Sequence, residues 1–111
     1  TPCRIADTRD PSGPLGPAFQ GLRPLAVAQS PCGLPVAEAY SLNATVIPRG
    51  RLSYLNLWPS GEPQPGVSTL NAFDGAVTSN AAIVPATGGS INVFTTELTD
   101  LFLDANGYFA P

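Results

Sequence analysis

Eight carboxylates and five arginines are the only formally charged side chains in this sequence, which contains no histidine and no lysine. That inventory rules out most chemistry. Without histidine there is no Ser–His or Cys–His pair to activate a nucleophile, and without lysine no Ser–Lys pair or Schiff base. A zinc site would lack its usual nitrogen and sulfur ligands. Two of Asp7, Asp10, Glu38, Glu62, Asp74, Glu97, Asp100 and Asp104 could pair as a glycosidase acid and base, but nothing in their spacing selects a pair. The run Asp104-Ala105-Asn106-Gly107 begins like a calcium loop, yet the glutamate needed at its twelfth position is not in the sequence. The expectation is a protein without catalytic residues, cofactor or metal, and not an enzyme.

The polar residues that remain read as structural. Asp7-Thr8-Arg9 follows an alternating run, and its side chains can bond local backbone or form an Asp–Arg pair. Asn43, Asn71, Asn80 and Asn106 offer both donor and acceptor to unpaired backbone groups. Asn43-Ala44-Thr45 fits a glycosylation sequon but falls in mid-strand. Tyr40, Tyr54, Trp58, Phe94, Tyr108 and Phe109 read as core, and Trp58, just ahead of a Pro/Gly-rich loop, is the best candidate among them for an exposed glycan-stacking residue. Cys3 and Cys32 are the only cysteines, and in a loop-rich chain they predict one disulfide and an oxidising compartment.

The elements that must position these residues are short strands. Thirteen prolines and eleven glycines in 111 residues stand between apolar runs as punctuation, which excludes long helices and suits a single small all-β domain. Strands are expected at 3–7, 22–28, 38–47, 52–58, 67–73, 76–85, 90–96 and 100–109. In the strand over 38–47, Tyr40, Leu42, Ala44 and Val46 share one face. Asp74-Gly75 and Gly88-Gly89 supply the positive φ of tight hairpin turns. Eight strands with turn signals every ten residues or so predict an Ig-like or jelly-roll-type β-sandwich. Its parts are an N-terminal strand in 1–9, a Pro/Gly-rich extended linker over 10–21 and a sandwich body over 22–111. No apolar run is long enough for membrane insertion. Net charge is −3, and Arg4, Arg9, Arg23, Arg49 and Arg51 are scattered, so neither nucleic acid nor an anionic lipid surface finds a cationic footprint. A chain beginning at Thr1 reads as processed or excised from a longer one.

The stretches "PCRIADTR", "YSLNATVIP", "LSYLNLWPSGEPQP", "VSTLNAF", "SNAAIVPATGGSINVF" and "TDLFLDANGYF" follow one another in a recognisable order. They resemble a β-sandwich domain recurrent in secreted and cell-surface proteins of environmental bacteria, with an Asp-Thr-Arg start and an Asp-x-x-Gly-Tyr-Phe end. The resemblance implies extracellular placement and a structural or adhesive setting, and carries over no catalytic residue.

The functional expectation is a structural subunit of an extracellular filament or surface assembly, with copies of itself as partner. Strand exchange suits it: Cys3, Arg4, Ile5, Ala6 and Asp7 would form an assembly strand delivered to a neighbouring subunit by the proline-rich linker. Absence of lysine excludes isopeptide-linked pilins, and the glycines and prolines near the start exclude a pilin-type apolar helix. The alternatives are a carbohydrate-binding module, with Trp58 as glycan contact, and a passive spacer domain.

Overall fold

The computed structural model describes residues 2–110, so Thr1 at the head of the expected first strand lies outside the described residues. Among the described residues the alternating apolar pattern becomes seven strands: β1 (Cys3–Asp7), β2 (Phe19–Ala26), β3 (Ala39–Pro48), β4 (Leu52–Pro59), β5 (Leu70–Ala72), β6 (Thr78–Pro85) and β7 (Ser90–Phe109). A 3₁₀ turn, Val27–Gln29, follows β2. Every strand pairing is antiparallel.

β7 is the spine. Along one edge it carries β1 opposite Phe102–Ala105 and then β2 opposite Ser90–Thr99. Along the other it carries β3 opposite Thr99–Phe109 and then β4 opposite Ile91–Thr95. β5 lies beyond β4, and β6 beyond β3. The fold is therefore a strip four strands wide, with β1-β7-β3-β6 in one half and β2-β7-β4-β5 in the other. At roughly 3.3 Å per residue, a straight strand the length of β7 would reach about 65 Å. The whole molecule measures 38 × 29 × 22 Å, so the strip must double over. It forms one nearly closed, barrel-like sheet where two separate sandwich sheets were expected.

This corrects the expected count of eight strands. Between Gly89 and Gly107 the sequence has neither glycine nor proline, so nothing stops β7 at the expected break over 97–99. The chain bends there instead, and side chains replace the missing ladder. Ser53 N donates to Glu97 Oε1 at 2.7 Å, Tyr54 N to Thr96 Oγ1 at 3.0 Å, and Gln20 Nε2 to Thr96 O at 3.0 Å. The backbone donation from Ser53, joined by the Thr96 hydroxyl, holds the Glu97 carboxyl below its usual range.

The inner faces of the two halves form the core, including Tyr40, Leu42, Val46, Leu52, Leu55, Ile91, Val93, Leu101 and Leu103. Each such aliphatic side chain contributes about 1.5–3 kcal/mol relative to exposure. The buried Tyr40 hydroxyl donates to Pro35 O at 2.6 Å and accepts from Ala37 N at 3.2 Å, which removes the cost of an unpaired polar group.

Turn chemistry explains two further differences. Gly88 and Gly89 (φ +58 and +79) close the tight turn between Thr87 and Ser90, as their pairing predicts. A Cβ on Gly89 would come within 2.6 Å of Ala28 Cβ, so the position also requires glycine for space. The Asp74-Gly75 turn, by contrast, joins β5 and β6 without pairing them, because each lies against a different strand of the strip. The segment 10–21 is also unlike the extended linker expected of it. Backbone bonds Asp10 N–Asp7 O, Gly13 N–Asp10 O and Gly16 N–Gly13 O fold it into successive turns. Leu15 is buried in the core, and β2 already starts at Phe19.

Candidate functional site

The residues expected to form an assembly strand lie in β1, paired to the chain's own β7. A register shift between Arg4 and Ala6 breaks the alternation, so Ile5 and Ala6 are both buried while Cys3 is half-buried. Cys3 and Cys32 form the expected disulfide within the chain, closing a sequence separation of 29 residues.

Asp7-Thr8-Arg9 joins the start of the chain to its last strand. Thr8 is buried; its hydroxyl donates to Asp100 Oδ1 at 2.8 Å and accepts from Leu101 N at 2.9 Å. Thr8 N donates in turn to Leu101 O at 2.9 Å. Arg9 grips Asp7 through Nη2 at 2.7 Å and through its own backbone N–H at 3.0 Å, and this holds the Asp7 carboxyl down at about 2. The guanidinium groups of Arg4 and Arg9 lie over the Phe102 ring, 4.0 and 4.9 Å from its centre, while Arg4 also binds Asp104 at 2.9 Å. Arg49 reaches Asp100 at 3.4 Å. Individually such exposed pairs contribute little. Together they clamp β1 flat across β7 and account physically for the Asp-Thr-Arg start and the acidic Asp100 and Asp104 near the end.

Trp58 is 5% exposed. The loop from Pro59 to Thr69 folds back over it, and its Nε1 donates to Glu62 O at 2.9 Å. The same loop covers Asn56, whose Nδ2 donates to Pro65 O at 3.1 Å and whose Oδ1 is buried without a partner. Beside it lies a recess of about 220 Å³ lined by Tyr54, Asn56, Pro65, Gly66 and Ser68. Sequence reasoning passed over Asn56. A polar residue between Leu55 and Leu57 in a buried strand was the available signal.

The other asparagines divide. Asn71 Nδ2 donates to Ser53 O in β4 at 2.6 Å and Asn80 Nδ2 to the loop carbonyl of Thr69 at 2.9 Å, both satisfying backbone groups as expected. Asn43 lies in β3, paired on both sides, and Thr45 of its sequon is buried against Ser79. Asn106 sits exposed in β7, at the register shift opposite Ser41 and Leu42. The Asp104–Gly107 run is thus strand rather than loop, and no group of three metal-ligating side chains forms among the described residues.

No protein-family model, curated protein or solved structure matches this chain.

What is left uncovered is the outer face of the β6-β3-β7 sheet. Register places Ile83 beside Ser41 and Gly107, and Pro85 beside Ala39 and Phe109. Ile83 is 64% and Phe109 49% exposed. Between Gly75 and Thr96 no side chain carries a formal charge. The apolar part of this face is the row of Pro85, Ala39 and Phe109 with Ile83 beside it; further along, Asn43 stands between Ala81 and Asp104, which binds Arg4. A disulfide-closed domain of this kind belongs to oxidising compartments, outside the cell or in the periplasm. No helix among the described residues is long and apolar enough to cross a membrane.

Proposed function

We propose that this chain is a structural subunit of an extracellular bacterial surface assembly, associating with copies of itself. The observation that carries this reading is the uncovered row of Pro85, Ala39 and Phe109 across three paired strands, with Ile83 beside it. Contiguous exposed apolar surface on a small domain marks an interaction site. Low charge helps, since packing such faces together desolvates few ions. The resemblance of the sequence motifs to a bacterial surface β-sandwich domain supports the same setting.

Two forms of assembly differ in what β1 does. With β1 at home, closed domains meet through their surfaces. In strand exchange, β1 leaves its own β7, and the Cys3–Cys32 bond then joins neighbouring protomers. Electron microscopy and a denaturing gel without reductant test both. Filaments that dissociate to monomer without reductant support closed domains. A ladder that collapses only with reductant supports exchange. Dispersed monomer at every concentration favours a passive spacer domain.

A carbohydrate-binding reading is favoured by one observation, the recess beside the unpartnered Asn56 Oδ1 and the Tyr54 ring. Retention on glycan arrays that is lost in Tyr54→Ala, with folding intact, would move that reading to the front.

A further inference from the structure

The four-strand strip ends in the outer edges of β1, β2, β5 and β6, and three of these are unsuited to pairing. β1 is interrupted by its register shift, carries Arg4 and Asp7, and is tied at Cys3 to the Cys32 loop. β2 includes Pro24, which has no N–H, and is irregular between Phe19 and Gly21. β5 is three residues long. Natural sheets guard their edges with such devices because an open edge templates another strand.

β6 has none of them. It runs eight residues in unbroken register with β3, contains no charged residue, and meets a proline only at its last position. Ala86 N bonds Glu38 O across the β3–β6 pair. Antiparallel alternation then turns the backbone groups of Val84 and Ala82 toward β3 and those of Ala81 and Ile83 away from it. Among the described residues no strand pairs with that second edge. The Asn80 side chain pins its start to Thr69 O, leaving Ala81 to Pro85 open.

We propose that β6 is a self-association edge, at which a second copy of this chain adds its own β6 antiparallel and joins two half-sheets into one of eight strands. The inference rests on the self-association reading above and specifies its contact. The occupant must be an extended chain, because the free groups are backbone donors and acceptors in strand spacing. A second copy fits on charge. Two molecules of net charge −3 repel, and an uncharged strand lets them approach without opposing like charges. A two-fold axis beside Ala82 sets Ala81 opposite the partner's Ile83, so both free pairs are satisfied twice. It also brings the two exposed Ile83 side chains together on one face. This is an isologous contact and closes at two copies. Extension into a filament then falls to the uncovered sheet face.

Light scattering on size-exclusion fractions of the oxidised full chain, over a range of concentrations, tests it. The expected result is a dimer whose dissociation constant rises at least tenfold in Ile83→Lys and in Ala81→Pro. The proline would remove an N–H that bonds nothing within the monomer. Circular dichroism and thermal unfolding establish that the variants fold. Ile83→Lys changes an exposed side chain and keeps the test open if the proline variant misfolds. Val67→Lys, at another exposed apolar position, should leave association unchanged. Association that persists in both β6 variants, or weakens equally in Val67→Lys, overturns the β6 contact and leaves self-association standing. A wild-type monomer at every concentration overturns both.

Discussion

Thr8 carries more of the structure than its neighbours because its hydroxyl is used twice inside the protein. Thr8→Val keeps the shape but removes the side-chain acceptor of Leu101 N–H and the Thr8 donor to Asp100 Oδ1. The expected cost is about 1–3 kcal/mol in urea unfolding, with Thr8→Ser close to wild type. Asp7 beside it gives a pH dependence. Its carboxyl, bound by Arg9, titrates near 2 in the folded chain against an ordinary 3.8. A lowered folded value means the contribution is complete above the ordinary value and disappears as pH falls through the folded one. The melting temperature should therefore decline between about pH 4 and 2, and Asp7→Asn should flatten that decline. A variant with the same slope as wild type would show that the pair is not coupled to folding.

At the scale of elements, the loop over Trp58 makes the sharpest prediction. A side chain 5% exposed and bonded through Nε1 belongs to the folded core, so Trp58→Ala should cost about 3–5 kcal/mol. As the only tryptophan, it should emit at short wavelength in the native protein and shift to the red on unfolding. Here the limits of local reading are plain. Trp58 reads in sequence as core with the other aromatics, yet its place before Pro59-Ser60-Gly61 also makes it the best candidate for exposure, and it is the loop's return across the sheet that buries it. The strands themselves were legible from alternation, as was the Gly88-Gly89 turn from its residues. The Cys3–Cys32 bond was legible from counting. The fusion of 90–96 with 100–109 was missed, although the absence of glycine and proline across that stretch was its signal. The partners of Asp7-Thr8-Arg9 lie near the other end of the chain, where no local pattern points to them. That β6 is the unguarded edge depends on which strands β1, β2 and β5 neighbour, a property of topology alone.

The whole molecule is held at its start by one covalent link. Closing the loop between Cys3 and Cys32 stabilises the domain by about 3–4 kcal/mol in the chain-entropy model. Cys3→Ser/Cys32→Ser should lower denaturant stability by that amount. Amide protons of β1 should show the earliest loss of exchange protection, since Arg4, Asp7 and Thr8 would then hold it unaided. Equal protection in both forms would mean that the Thr8 and Arg4 contacts suffice.

β1, β2, β3 and β4 all take their ladders from β7, and β7 is the last strand in chain order. While the polypeptide is being made, only the outer pairs β3–β6 and β4–β5 have both members present. The first strand waits for a partner nearly the full length of the chain away, and such distant pairings form slowly. The sheet can therefore close only once β7 is in place, which makes β7 its keystone.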